Sequence, residues 1–125
     1  MSYIDAMIAA VPNRNREVYT ERAERVARVM REHGALGMTE CWGDEVPDGG
    51  IASFRKAVQC RDDETVVLAW IMWPSRAVRD AAMPKAMADP RLCRAGESTP
   101  FDDTRLIHAT FGVIVGGPGA VALSA

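Results

Sequence analysis

Three titratable residues stand out, Asp5, Glu40 and His108, because each falls in a strand-like, largely apolar run where an unpaired charge is costly. A carboxyl group in an apolar cavity has a raised pKa and can serve as an acid or base near neutrality. A histidine beside it can shuttle a proton. Trp42 and Trp70, in neighbouring runs, offer rings that would hold a flat organic molecule. The competing reading makes all three titratable groups paired members of a buried interface, satisfied by hydrogen bonds or water. A second charged set, Arg79, Asp80, Lys85, Asp89 and Arg91, reads first as ion pairs that clamp a helix to its loop and only second as a substrate site.

Other chemistries lack their spacing. Cys41, Cys60 and Cys93 are odd in number and far apart, no CxxC is present, and neither His33 nor His108 stands at ligand distance from them. That excludes a disulfide framework and a structural zinc site, and leaves buried or half-buried free thiols. Asp44, Glu45 and Asp48 match no calcium loop and read as a solvated turn. No P-loop, GxGxxG or GxSxG occurs, so no metal, no cofactor and no reaction class is selected.

The balance of residues sets further limits. A chain of 125 residues, 48% hydrophobic and 26% charged, suits one globular domain, expected over residues 1–115 with a loose tail at 116–125. A formal net charge of −2 argues against a nucleic-acid partner. No apolar run approaches the ~20 residues that span a bilayer, so no membrane role is expected. The first residues carry no basic segment ahead of their apolar stretch, and a cytoplasmic location is expected.

The elements that must position the candidates follow from periodicity. Tyr3 to Val11 reads as a buried strand. Asn13 or Asn15 then caps a helix running to His33, stopped by Gly34, with Tyr19, Ala23, Val26, Ala27 and Met30 on its apolar side. Its other side carries Glu21 with Arg25 and Glu24 with Arg28, at the spacing of solvated pairs. Ala35 to Trp42 and Phe54 to Cys60 read as two pieces of one strand line, interrupted by a loop from Gly43 to Ser53. Thr65 to Trp73 is the central strand. Ser75 caps a second helix that presents Val78, Ala82 and Ala86 to the sheet and is expected to kink or split at Pro84. Leu106 to Val115 is the last strand.

This order is the split βαβ pattern of ferredoxin-like α+β domains with an antiparallel sheet. Alternation along the strands assigns Ile4, Ile8, Ala10, Ile107 and Phe111 to the helix side, and Asp5, Met7, Met38, Glu40, Trp70 and His108 to the other. Two helices cover only one face, so this second face is expected to be sheltered by a second copy of the chain, enclosing the candidate groups.

Glu40-Cys41-Trp42-Gly43-Asp44-Glu45-Val46-Pro47-Asp48-Gly49, Phe54-Arg55-Lys56-Ala57-Val58, Glu64-Thr65-Val66-Val67, Pro74-Ser75, Met87-Ala88-Asp89-Pro90-Arg91 and Pro100-Phe101-Asp102 are familiar together. With them the chain resembles, from about Tyr3 to Val115, the YbaA-like bacterial family of unknown function (DUF1428). The resemblance implies a dimeric α+β barrel. That superfamily includes cofactor-free monooxygenases, lactone isomerases, haem enzymes and plain ligand-binding modules, so it selects no activity. Pro84 departs from the family's usual helix. The leading expectation is a cytoplasmic homodimer with a pocket for a small organic ligand. A cofactor-free oxygenase or isomerase acting on an aromatic or enolisable compound, with Glu40 or His108 as base, stands as one alternative. A non-catalytic interaction or regulatory module is the other.

Overall fold

Residues 1–92 and 94–116 are described by a computed structural model of the chain. Tyr3–Pro12 forms β1, Arg16–Glu32 α1, Gly37–Trp42 β2, Phe54–Ala57 the single-turn α2, Glu64–Trp73 β3, Arg76–Met87 α3 and Ile107–Gly112 β4. The strands form one antiparallel sheet in the order β2-β3-β1-β4. The architecture is therefore α+β, with short edge strands on either side of the long central pair. The expected tail from Gly116 onward lies outside the described residues except for Gly116 itself.

α1 stops where the sequence requires. Gly34 adopts φ +109°, its N–H bonds to the carbonyl of Arg31, and that of Ala35 bonds to Met30, the paired closure of a Schellman motif. At the other end Asn15 occupies the cap position, but its side chain accepts no backbone bond and instead donates to the Pro100 carbonyl at 2.9 Å. Nor is the charged side of α1 wholly solvated. Arg25 is buried, donating to Glu97 at 2.5 Å and to the Arg91 carbonyl at 2.7 Å, and neither Glu21–Arg25 nor Glu24–Arg28 pairs within the described residues. A loop 66 residues away competes for Arg25 and wins because burial strengthens the pair.

Three further expectations are corrected. Phe54 to Cys60 is not extended: Ser53 accepts the Lys56 N–H at 3.0 Å and starts α2, so no strand line continues from β2. α3 neither ends nor splits at Pro84 but runs on to Met87. One carbonyl partner is lost there, while buried Ala82 and Ala86 hold the helix against the core. The outer strands are also shorter than expected, with Ala35, Leu36 and Val113 to Val115 outside the sheet.

The largest correction concerns the faces of the sheet. Trp73 is fully buried among Val29, Met30, Ala82 and Ala86, which puts its side of β3 under the helices. The register then carries Tyr3, Asp5, Met7, Met38, Glu40 and His108 to that same side. Ile4, Ile8, Trp70, Ile107 and Phe111 take the opposite one, the reverse of the sequence assignment for all but Trp70. Both sets are rich in apolar residues, so hydropathy alone does not say which lies under the helices. The open side is partly roofed at one end, where Val46, Val58 and Cys60 pack on Ile8, Ala10 and Val66. Beyond that roof Leu68, Ile107 and Phe111 remain 37%, 43% and 53% exposed. Cys41, expected to be at least half-buried, is exposed there as well; Cys60 is half-buried, and Cys93 lies outside the described residues.

The roof is held by Arg105, which grips Glu64 at 2.7 and 2.8 Å and the Gln59 carbonyl at 2.8 Å. The hydrogen bonds from Arg105 hold the Glu64 carboxyl at about 2, below its ordinary 4.5. Its contribution to stability is complete above the ordinary value and fades as pH falls toward 2. Arg105→Met is expected to cost about 3 kcal/mol at pH 7, because it strands a buried carboxylate. Urea unfolding across pH 2.5–7 checks this: the penalty should shrink on acidification, and a pH-independent penalty would contradict it.

Candidate functional site

Two cross-strand rows floor a cavity of about 160 Å³ between the sheet and α1 and α3. One row runs Glu40, Ala69, Met7, His108 from β2 to β4, and the next runs Met38, Ile71, Asp5 from β2 to β1. Ala69, in the middle of the first row, fills little of the space between sheet and helices. Tyr19, Arg22, Ala23 and Val26, one stripe of α1, form the roof, with Met83 and Phe101 at the side. Apolar walls with a few convergent polar groups are the usual make-up of a small-molecule site.

At one end Asp5 is nearly enclosed and accepts from four donors. Arg79 spans both oxygens (2.9 and 3.1 Å), Trp73 Nε1 donates to Oδ2 at 2.8 Å, and His108 Nε2 lies 3.1 Å from Oδ1. Burial is the largest single influence and would raise this carboxyl's pKa. The bonds from Arg79, Trp73 and His108 together outweigh it and hold the group below the ordinary carboxylate value. An ionised carboxylate only accepts, so the histidine must donate from Nε2, and in the neutral ring Nδ1 is left as the acceptor. The fold supplies these donors through register: His108 and Trp73 each sit diagonally from Asp5 on the adjoining strands. Ser75 starts α3 by accepting from Val78 N at 3.2 Å, and Arg79 follows one turn later.

Glu40 stands at the far end of the same row, three strand spacings from His108, roughly 14 Å. Tyr19 donates to its Oε1 at 2.6 Å. Burial raises the Glu40 pKa despite that bond and the nearby charge of Arg22, and the Tyr19 phenol is pushed up by its own burial and by Glu40. One end of the cavity is thus an anion held by four donors, and the other is a carboxyl whose pKa is raised by burial.

Of the sequence candidates, Asp5, Glu40, Trp70 and His108 border this cavity. Alternation nevertheless directs the Trp70 indole to the open face. Trp42 does not border it: its ring lies under Arg16 at 5.0 Å, in a wider groove between α1 and β2. The second charged set separates. Arg79 joins Asp5, while Asp80 pairs with Arg76 and Arg79. Asp89 and Glu32 flank Arg91, tying the segment after α3 to α1. Lys85 takes part in no ion pair among the described residues. Tyr19 was legible only as a core residue, although a buried phenol needs a partner and so pointed to a polar group nearby. Nothing in the local spacing of charge singles out Arg22, which borders the cavity from α1.

Among the described residues, no three His, Cys, Asp or Glu side chains gather as a metal site, and no helix is long and apolar enough to cross a membrane. The family described as "Protein of unknown function (DUF1428)" matches residues 2–103. The chain belongs to this family. It is 45% identical over 115 residues to "Uncharacterized protein YbaA" of Escherichia coli K12, covering 92% of this chain and 98% of the relative. The proteins of that name from Escherichia coli O157:H7 and Shigella flexneri match to the same extent. No specific activity comes with these likenesses, and the family assignment agrees with the resemblance read from the motifs.

Two outcomes follow from the opposed ends of the cavity. Asp5→Asn leaves Arg79 half-buried beside a neutral amide and is expected to cost about 2–3 kcal/mol in chemical unfolding at pH 7, below a fully buried pair because Arg79 reaches solvent. Glu40 behaves oppositely. Its folded form holds the proton more tightly than the unfolded chain does, so its contribution is present at low pH and lost as pH rises through the raised value. Glu40→Gln should therefore raise the melting temperature at pH 8 and leave it nearly unchanged at pH 4; a loss of stability at pH 8 would contradict this.

Proposed function

We propose that the chain is a cytoplasmic, homodimeric binding protein in which each ferredoxin-like domain, residues 1–115, holds a small organic molecule between its sheet and its helices. The observation that carries this reading is the roughly 160 Å³ cavity, whose apolar walls converge on Asp5–His108 at one end and Tyr19–Glu40 at the other. An apolar cavity of about 150 Å³ is known to accept benzene, so one ring with a small substituent fits the space. Pairing of two copies rests on a separate feature, the open sheet face bearing Leu68, Ile107 and Phe111. Apolar patches of this kind mark interfaces, and two such sheets stacked face to face make the α+β barrel expected from the family. The pocket lies on the helix side, so it does not depend on the partner for its walls. The free thiols Cys41 and Cys60 agree with a reducing compartment.

Thermal shift with a panel of benzene-ring compounds tests the pocket. The protein should be stabilised by at least one member, and Ala69→Leu, which fills the floor of the cavity, should remove that stabilisation; an unchanged shift in the variant would place the ligand elsewhere. Light scattering tests the pairing. The protein should run at twice its chain mass at micromolar concentration and Leu68→Lys/Phe111→Lys at the chain mass, whereas a monomeric parent protein would refute the barrel.

A further inference from the structure

We infer that the molecule held in this cavity carries one anionic group, a carboxylate on a single ring, read by Arg22. The inference rests on the cavity being a ligand site and adds the chemistry of the ligand. Its basis is the distribution of unmatched charge. Asp5 is saturated: Arg79 grips both of its oxygens, and Trp73 and His108 take the remaining positions. It can offer no free acceptor to a cationic ligand. Glu40 stands at the far end of the cavity, where its carboxyl already accepts from Tyr19 at 2.6 Å.

Arg22 differs from the other basic groups nearby. It lies on the same stripe of α1 as Tyr19, Ala23 and Val26, is half-buried, and borders the cavity. Among the described residues it makes no ion pair and no side-chain hydrogen bond. Arg25, three residues on, is fully engaged with Glu97 and the Arg91 carbonyl. The Arg22 guanidinium lies 5.9 Å from the centre of the Phe101 ring, which shields one of its sides without supplying an acceptor. A half-buried guanidinium with unused donors at the edge of an apolar space is suited to a two-oxygen acceptor, since its planar fork matches a carboxylate. Met7, Met38 and Met83 supply polarizable contacts for a ring behind that carboxylate.

Calorimetric titration at pH 7 with benzoate, its neutral counterpart benzamide and its cationic counterpart benzylamine tests this. Benzoate should bind roughly 10- to 100-fold tighter than benzamide, the range for a hydrogen-bonded charge. Benzylamine should bind more weakly than either. Arg22→Gln should bring benzoate down to the benzamide level without changing benzamide, and Arg22→Lys should restore part of the difference. If benzamide binds and benzoate is no tighter, the anion inference falls while the pocket stands. A preference for benzoate that survives Arg22→Gln removes Arg22 as the reader. Should none of the three bind, both the ligand class and the pocket are overturned.

Discussion

The Asp5 carboxylate is the point through which the parts of this fold are joined. It sits on β1, takes a hydrogen bond from Trp73 at the end of β3, a two-pronged one from Arg79 on α3, and another from His108 on the edge strand β4. A charge buried to this degree is strongly unfavourable unless every lone pair is answered. Here four donors from three separate elements answer it, so their positions are mutually dependent. If α3 were to shift, Arg79 would leave a buried anion exposed to apolar neighbours. A slip of β4 by one residue would send His108 to the open face. The same requirement fixes the wall of the cavity, because Asp5 and His108 form its polar end.

The two sides of the sheet are built differently. The side under the helices contains both the packed core around Trp73 and the unfilled space over Ala69. The open side carries exposed Leu68, Ile107 and Phe111, with Val46 and Val58 packed over one end. The proposed pocket and the proposed pairing surface thus draw on different residues. Changes at one can be read without disturbing the other.

Much of the architecture was legible in the sequence because local signals agreed. Gly34 closes α1, Ser75 opens α3, and the β-branched and aromatic run at Thr65–Trp73 is the central strand. That Asp5, Glu40 and His108 share one face follows from alternation, a local property. Which face that was could not be read locally, because Ile107 and Phe111 are as apolar as the residues under the helices and an unpartnered sheet side mimics a core side. The short helix at Phe54–Ala57 was missed for a related reason: Ser53 as a cap competes with a stretch that is equally plausible as a strand. Arg25 and Arg79 found partners 66 to 74 residues away, and such pairings leave no mark on the local spacing of charge. The cost of Pro84, a lost bond to the Asp80 carbonyl and a ring crowded against it, is local, whereas the burial of Ala82 and Ala86 that offsets it is a tertiary effect.

The most direct test of this account is a carbon-detected NMR titration of the Asp5 side-chain carboxyl in the folded protein. Its midpoint should lie below the ordinary aspartate value, with the His108 ring donating from Nε2. A midpoint at or above about 4, or a His108 ring carrying its proton on Nδ1 alone, would mean that the carboxylate is not held by these donors.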